Sequence, residues 1–171
     1  MDLIAAFDTR NCHIADDWNE WLKNTSHQLL KQNPSPVLFA CASLTEMFAP
    51  LATELYNIAF VSCWRNMQDA DKSKIMEAFS YAHRSPTRTT QVLQTILNLA
   101  EFMELDEISD IMFGSKTLAN IAVKCNTLAK ALYYWEKEFE NNPQETIKLL
   151  IETNHALQQP EAAKGVLKLG E

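Results

Sequence analysis

Glycine is scarce in this sequence, with only three in 171 residues, at positions 114, 165 and 170. Tight β-hairpins depend on residues that tolerate positive φ, and glycine does so best. The six prolines lie at breaks in the hydrophobic pattern, where a helix begins rather than continues. The composition therefore disfavours a sheet and predicts long helices joined by short polar loops.

Positive charge is also in short supply, because 15 Lys and Arg face 22 Asp and Glu, for a net charge of −7. Nucleic-acid binding relies on Lys and Arg that neutralise phosphates. We interpret the short basic group of His83, Arg84 and Arg88 as a solvated loop. No apolar run reaches the ~18 residues that a membrane span requires. We expect neither a nucleic-acid partner nor membrane insertion.

The sequence lacks motifs that carry chemistry: it has no glycine-rich phosphate loop, no H-E-x-x-H, no C-x-x-C and no G-x-S-x-G. Its four cysteines are widely spaced, which predicts reduced thiols in a cytosolic or nuclear protein. We expect no catalytic, metal-binding or cofactor-binding residue, no cofactor and no small-molecule substrate. Cys12 beside His13 leaves a Cys/His enzyme as the least favoured alternative.

What the sequence does contain is apolar residues at helical spacing. They predict about eight helices, near residues 16–32, 37–48, 50–64, 72–83, 87–103, 118–139, 145–154 and 160–169. Asp16 or Asp17 is the expected N-cap of the first. In the second, Leu38, Cys41, Ala42 and Leu44 should face the core. The third is apolar on several sides and should be the most enclosed.

Two features qualify this helical pattern. Residues 105–115 are ambiguous, since Ile108, Ile111, Met112 and Phe113 fit either a short helix or a packed loop. The short connections require successive helices to pack antiparallel, either as a closed bundle or as a solenoid. Residues 118–154 have nearly the length of a tetratricopeptide unit. We favour an all-α fold of antiparallel hairpins stacked as a HEAT/TPR-like α-solenoid.

Three stretches have a familiar order and separation. Residues 51–64 read LATELYNIAFVSCW, residues 90–104 read TQVLQTILNLAEFME, and residues 124–139 read KCNTLAKALYYWEKEF, followed by LQQPEAAKGVL at 157–167. Together with DWNEWL at 17–22, they resemble the target-of-rapamycin kinases of the phosphatidylinositol-3-kinase-related family. The matching region is where central HEAT repeats give way to the FAT domain, and residues 105–120 fit it least well.

This resemblance implies HEAT-type repeats over residues 1–104 and the start of a TPR-like FAT domain over residues 105–171. It implies a non-catalytic scaffold segment that supports kinase-domain architecture and complex assembly in growth and nutrient signalling. The implied partners are other regions of the same large kinase and its complex subunits. The implied location is the cytoplasm, or organelle membranes through the full-length complex. The family's ATP-binding and catalytic residues have no counterparts here.

A solenoid leaves apolar surface uncovered where the next repeat would pack. The last predicted helix has no partner within the sequence, so we expect an interaction surface at Leu157, Val166, Leu167 and Leu169. The alternative is a free-standing helical-repeat adaptor that holds a peptide in a groove. Such a groove would use exposed aromatic residues, with Tyr133 and Tyr134 as candidates.

Overall fold

The computed structural model describes residues 3–105 and 113–169, and every regular element in these residues is a helix. The predicted all-α class is therefore confirmed. The helices are α1 (Leu3–Ala6), α2 (Ala15–Lys31), α3 (Pro36–Met47), α4 (Pro50–Glu54), α5 (Tyr56–Trp64), α6 (Asp69–Arg84), α7 (Thr90–Leu105), α8 (Ser115–Lys124), α9 (Leu128–Phe139), α10 (Pro143–Ala156) and α11 (Pro160–Leu169). They form two compact units, residues 1–110 and 111–171.

Helix α2 is the centre of the first unit, where it packs against α1, α3, α4, α5 and α7. Its large apolar side chains recur at helical spacing and are buried. Phe7, which follows α1, completes an aromatic cluster with Trp21, Phe60 and Phe79, whose ring centroids lie 5.7 to 6.2 Å apart, mostly edge to face. Aromatic rings favour this arrangement because a positive ring edge meets a negative ring face.

The start of α2 differs from the predicted capping. Ile14 is the N-cap residue, so neither Asp16 nor Asp17 has that position. Asp17 instead lies in the first turn, where its carboxylate accepts the backbone N–H groups of Ile14 at 2.9 Å and His13 at 2.7 Å. These two bonds lower the pKa of Asp17. Its carboxylate thus satisfies backbone donors that precede the helix.

The described residues contain eleven helices, against about eight predicted. Helix α1 is a single turn, too short to leave a periodic pattern. The predicted helix over residues 50–64 is divided near Leu55 into α4 and α5, and α5 is largely buried, as expected. Of the ambiguous segment, Phe113 is buried, whereas Ile108, Ile111 and Met112 lie outside the described residues.

The prediction of one continuous helix over residues 118–139 was wrong, because the chain turns between α8 and α9. Asn126 adopts a positive φ of 56°. The backbone N–H of Thr127 donates to the carbonyl of Ala122 at 2.9 Å, and that of Asn126 donates to Val123 at 3.0 Å. This pair of bonds is a Schellman motif, which satisfies the last carbonyls of α8 and ends the helix.

In the second unit the helices pack in chain order, α8 on α9, α9 on α10 and α10 on α11. Gln158 repeats the turn of Asn126, with φ of 58° and Schellman bonds from Gln158 to His155 and from Gln159 to Asn154. The two turns are separated by nearly the ~34 residues of a tetratricopeptide repeat. Packing in chain order is what a solenoid requires, and the predicted all-α solenoid is confirmed.

Candidate interaction surfaces

The predicted interface lies on α11 and on the turn before it. On α11, Ala163 is buried on the side that meets α10, and Val166, on the same side, is half-buried. Leu167 is 53% exposed, and Leu157 in the turn is half-buried. Leu169 belongs to α11, but its side chain lies outside the described residues. Among the three described side chains of the predicted set, Leu167 is therefore the most exposed.

The turn that orients α11 is held by buried polar groups. The side-chain amide of Asn154 donates to the carbonyl of Leu150 at 2.9 Å, while its backbone carbonyl accepts the N–H of Gln159. Thr153 donates its hydroxyl to the carbonyl of Leu149 at 2.7 Å. These bonds fix the end of α10, which Leu157 follows directly in the turn before α11.

Helix α10 also has a side that no described neighbour fills. An open groove of about 620 Å³ runs along it, lined by Gln144, Ile147, Lys148, Ile151 and Glu152. Ile147 and Ile151 are half-buried there. Nearby, Lys116 of α8 reaches Glu145 of α10 with 2.8 Å between Nζ and Oε2. The groove thus combines two isoleucines with an ion pair, since Lys148 Nζ lies 3.7 Å from Glu152 Oε1.

The two tyrosines of α9 point to different environments. Tyr133 is 50% exposed, whereas Tyr134 is almost fully buried. Their rings meet edge to face, with centroids 5.0 Å apart. Only Tyr133 is therefore able to contact an outside peptide, and Tyr134 belongs to the core of the unit.

The structure reveals one surface that sequence reasoning missed, on α3. Leu44, predicted to face the core, is 52% exposed, so that assignment was wrong. Ala42 and Thr45 are the buried residues of the helix. Four further large apolar side chains of α3 and its C-cap are exposed too, namely Val37 (73%), Phe39 (55%), Met47 (87%) and Phe48 (61%), whereas Leu38 is half-buried. We call Val37, Phe39, Leu44, Met47 and Phe48 the α3 apolar face.

A signal for this face exists in the sequence. Helix α3 carries a single charged residue, Glu46, and its apolar residues lie all around the helix rather than along one stripe. A helix that is apolar on every side is normally enclosed. In the described residues α3 packs mainly on α2 and α4, which leaves the remaining apolar sides uncovered.

A separate groove of about 1080 Å³ lies in the first unit between the segment after α1 and helix α6. Its lining includes Phe7, Asp8, Arg10, Lys74 and Tyr81. The pKa of Asp8 is lowered to about 2, mainly because the side chain and the backbone N–H of Arg10 donate hydrogen bonds to its carboxylate. Lys74 pairs with Asp71 at 3.1 Å. Two of the charged side chains that line this groove, Asp8 and Arg10, are thus paired with each other.

The two buried thiols are poor nucleophiles. Burial, aided by the Asp17 and Asp8 carboxylates, raises the pKa of Cys12 to about 11, and burial alone raises that of Cys63 to about 11. Since the thiolate is the reactive form, both remain protonated near neutral pH. These values oppose the alternative of a Cys/His enzyme at Cys12.

Two kinds of specialised site are absent from the described residues. No set of three His, Cys, Asp or Glu side chains there is grouped as a metal site would require. No helix in the described ranges is both long and apolar enough to cross a bilayer.

The chain is similar to several protein kinases over most of its length, although no protein-family model matches it. It is 37% identical to serine/threonine-protein kinase tor1 of Schizosaccharomyces pombe, a match that covers 97% of the chain. It is 41% identical to serine/threonine-protein kinase TOR2 of Saccharomyces cerevisiae over 90% of the chain. It is 42% identical to serine/threonine-protein kinase mTor of Drosophila melanogaster over 89% of the chain.

Fold and surfaces together define an all-helical repeat protein that presents apolar helix faces. The sequence identities to these kinases narrow the class of protein further. The chain belongs to the target-of-rapamycin kinase family, in which it corresponds to one short segment. It spans only 6 to 7% of the length of these relatives.

Proposed function

We propose that the chain is a non-catalytic helical scaffold segment of a target-of-rapamycin-type serine/threonine kinase. In this role it supports the architecture of the kinase domain and the assembly of the kinase complex in growth and nutrient signalling. The observation that carries the proposal is the stack of hairpins from α8 to α11, which ends on an incompletely covered apolar residue, Leu167. Stacked hairpins bury such residues against the next helix.

The proposal also divides the chain into two regions of different repeat type. Residues 1–104 are HEAT-type repeats, and residues 105–171 begin a TPR-like FAT domain. Two observations support this division. The compact units are separated near residue 110, and the positive-φ turns at Asn126 and Gln158 recur at nearly the length of a tetratricopeptide repeat.

The proposed partners are other regions of the same large kinase and the subunits of its complex. The relatives support this, because each is a kinase of which the matched segment is a small part. The proposed location is the cytoplasm, or organelle membranes through the full-length complex. Leu157, Val166, Leu167 and Leu169 form the proposed contact surface.

A chimeric kinase tests the proposal. The segment of fission-yeast tor1 that aligns with this chain is replaced by residues 1–171, and the kinase is isolated with its complex. The chimera should assemble and phosphorylate its substrate as the parent does. The Leu167→Asp chimera should assemble about tenfold less complex, because it places a charge in a packed apolar contact.

Gly165→Asp is the matched control, since it adds the same charge to the same helix at a position where a Cβ atom would meet no neighbour within 4 Å beyond the backbone of its own helix. It should leave assembly unchanged. Equal assembly of both variants would contradict the proposed contact. Phosphotransfer by the isolated chain of residues 1–171 would contradict the non-catalytic role.

A free-standing peptide-binding adaptor is the second candidate, and the exposure of Tyr133 favours it. The burial of Tyr134 removes the other aromatic residue that this candidate would use. In the adaptor, Tyr133→Ala would abolish capture of a partner by the isolated chain. In the scaffold, the same change would leave chimera assembly intact.

A further inference from the structure

One side chain of the α3 apolar face, that of Met47, carries a chemically reactive atom. Met47 is the last residue of α3 and is 87% exposed. The other four members of the face have hydrocarbon side chains. A thioether sulfur is soft and polarizable, and oxidants convert it to a sulfoxide. Met47 therefore presents an oxidisable sulfur directly to solvent.

The other methionines of the described chain are better shielded than Met47. Met103 of α7 is 1% exposed, and Met67 and Met76 are half-buried. Met1 and Met112 lie outside the described residues. Because an oxidant must reach the sulfur, a buried methionine reacts only when the structure around it opens. We therefore expect the described methionines to react at different rates, with Met47 the fastest.

The surroundings of Met47 give its oxidation a consequence. Leu44 lies one turn earlier on the same side of α3 and is 52% exposed, and Phe48, which follows Met47, is 61% exposed. A sulfoxide converts the flexible apolar side chain of methionine into a polar one. Oxidation would therefore place a polar group within the α3 apolar face while leaving the net charge of the chain unchanged.

We propose that Met47 is an oxidation site at which hydroperoxides make the α3 apolar face more polar. The sulfur lone pair attacks one oxygen of hydrogen peroxide, so an S–O bond forms as the O–O bond breaks. The departing hydroxide takes the proton of the transferred oxygen and becomes water. The sulfur is oxidised by two electrons and the peroxide is reduced by two. This site goes beyond the scaffold role and uses no residue of α11.

The modification is reversible in principle. A thiol-dependent methionine sulfoxide reductase restores the thioether. Two thiols supply the two electrons and become a disulfide, and the sulfoxide oxygen leaves as water. The exposure of Met47 makes the sulfoxide as accessible to such a reductase as the sulfur is to peroxide.

Limited oxidation of the intact chain by hydrogen peroxide tests the site. A thiol reductant added afterwards reverses cysteine sulfenic acids and disulfides, and peptide mass spectrometry then follows each sulfoxide over time. Met47 should be oxidised about tenfold faster than Met103, and also faster than Met67 and Met76. In concentrated urea the four rates should converge, because unfolding exposes all four sulfurs. Equal rates in the folded chain would overturn the assignment.

Hydrophobic interaction chromatography tests the consequence, because retention increases with exposed apolar surface. The oxidised chain should elute earlier than the unoxidised chain and keep its circular dichroism spectrum, since the modified side chain already lies in water. Met47→Leu removes the sulfur but keeps an apolar side chain of similar volume, so peroxide should no longer shift its elution. Met47→Gln should elute early without peroxide. Met67→Leu is the matched control and should respond to peroxide as the unchanged chain does.

Two further outcomes would overturn the proposal. An equal peroxide-dependent shift in Met47→Leu and in the unchanged chain would assign the effect to another residue. Unchanged elution of chain in which mass spectrometry finds Met47 fully oxidised would show that the sulfoxide does not alter the α3 apolar face. Treatment with a methionine sulfoxide reductase and a thiol should restore the original elution of the oxidised chain.

Discussion

At the scale of single residues, Asn33 joins parts of the first unit that are distant in sequence. Its side-chain amide donates to the carbonyls of Leu29 and Ala59, each at 3.0 Å. Its side-chain oxygen accepts the backbone N–H of Ser35 at 3.0 Å and the hydroxyl of Ser62 at 2.8 Å. The residue is buried, so water cannot replace these bonds.

Asn33→Ala should therefore lower the free energy of unfolding by about 2–4 kcal/mol, because it removes buried bonds and leaves their partners unsatisfied. Urea denaturation monitored by circular dichroism measures the change. Asn66→Ala is the control, since the amide of Asn66 bonds the carbonyl of Ser62 at an exposed site. Equal effects of the two variants would contradict the importance of the Asn33 bonds.

The substitution Asn33→Asp should make the free energy of unfolding depend on pH. Its carboxylate keeps the acceptor role but meets the carbonyls of Leu29 and Ala59 without a proton to donate, so its folded-state pKa should lie above the unfolded value of about 3.9. A raised acid pKa means that the folded state binds more protons. Stability of this variant relative to the unchanged chain should therefore be greatest below about pH 4 and fall as pH rises.

At the scale of helices, two turns of the second unit use residues other than glycine at positive φ. Asparagine tolerates the left-handed region better than glutamine does, because its short polar side chain bonds locally. Gln158→Gly should therefore raise the free energy of unfolding by about 1 kcal/mol, and Asn126→Gly by less. Hydrogen exchange of the amides in α8 to α11 measures both changes.

Gln159→Gly is the matched control for the Gln158 substitution. Gln159 is not among the positive-φ residues of the described chain, so glycine gains no conformational advantage there and adds entropy to the unfolded state. Its stability should be unchanged or lower. A gain equal to that of Gln158→Gly would contradict the strain assigned to the turn.

These helices also show what the sequence is able to predict. Apolar spacing located the long helices correctly, because burial on one side imposes that spacing. It missed the break at Asn126, since the apolar positions of α8 and α9 continue in helical register across three turn residues. It also missed the role of Phe7, whose burial depends on Phe60 and Phe79, more than fifty residues away.

The candidate surfaces show the same limit. For α11, the interaction surface at Leu157, Val166, Leu167 and Leu169 stays a prediction, with which the 53% exposure of Leu167 is compatible. For α3 the pattern of apolar residues led to a wrong prediction. An apolar helix was expected to be covered by its own chain, and Leu44 was therefore assigned to the core. The spacing of apolar residues indicates that a side chain packs against another surface, but it does not indicate whether that surface belongs to the same chain.

At the scale of the whole molecule, the net charge of −7 near neutral pH opposes association between copies of the chain. Mutual repulsion between like-charged molecules opposes association, and it vanishes near the isoelectric point of about 5.1. Light scattering should therefore show association that grows as pH falls from 7 towards 5. Because the α3 apolar face is a large exposed apolar patch, it should drive this association.

The Leu44→Ser/Met47→Ser variant separates these two causes. It leaves the charge unchanged and removes apolar surface, so its scattering near pH 5 should be well below that of the unchanged chain. Val123→Ser/Leu105→Ser, whose side chains are 45% and 80% exposed on other helices, is the matched control and should scatter nearly as the unchanged chain does. Equal scattering by both variants would mean that loss of charge alone drives association, and that the α3 apolar face is no more adhesive than other exposed apolar residues of the molecule.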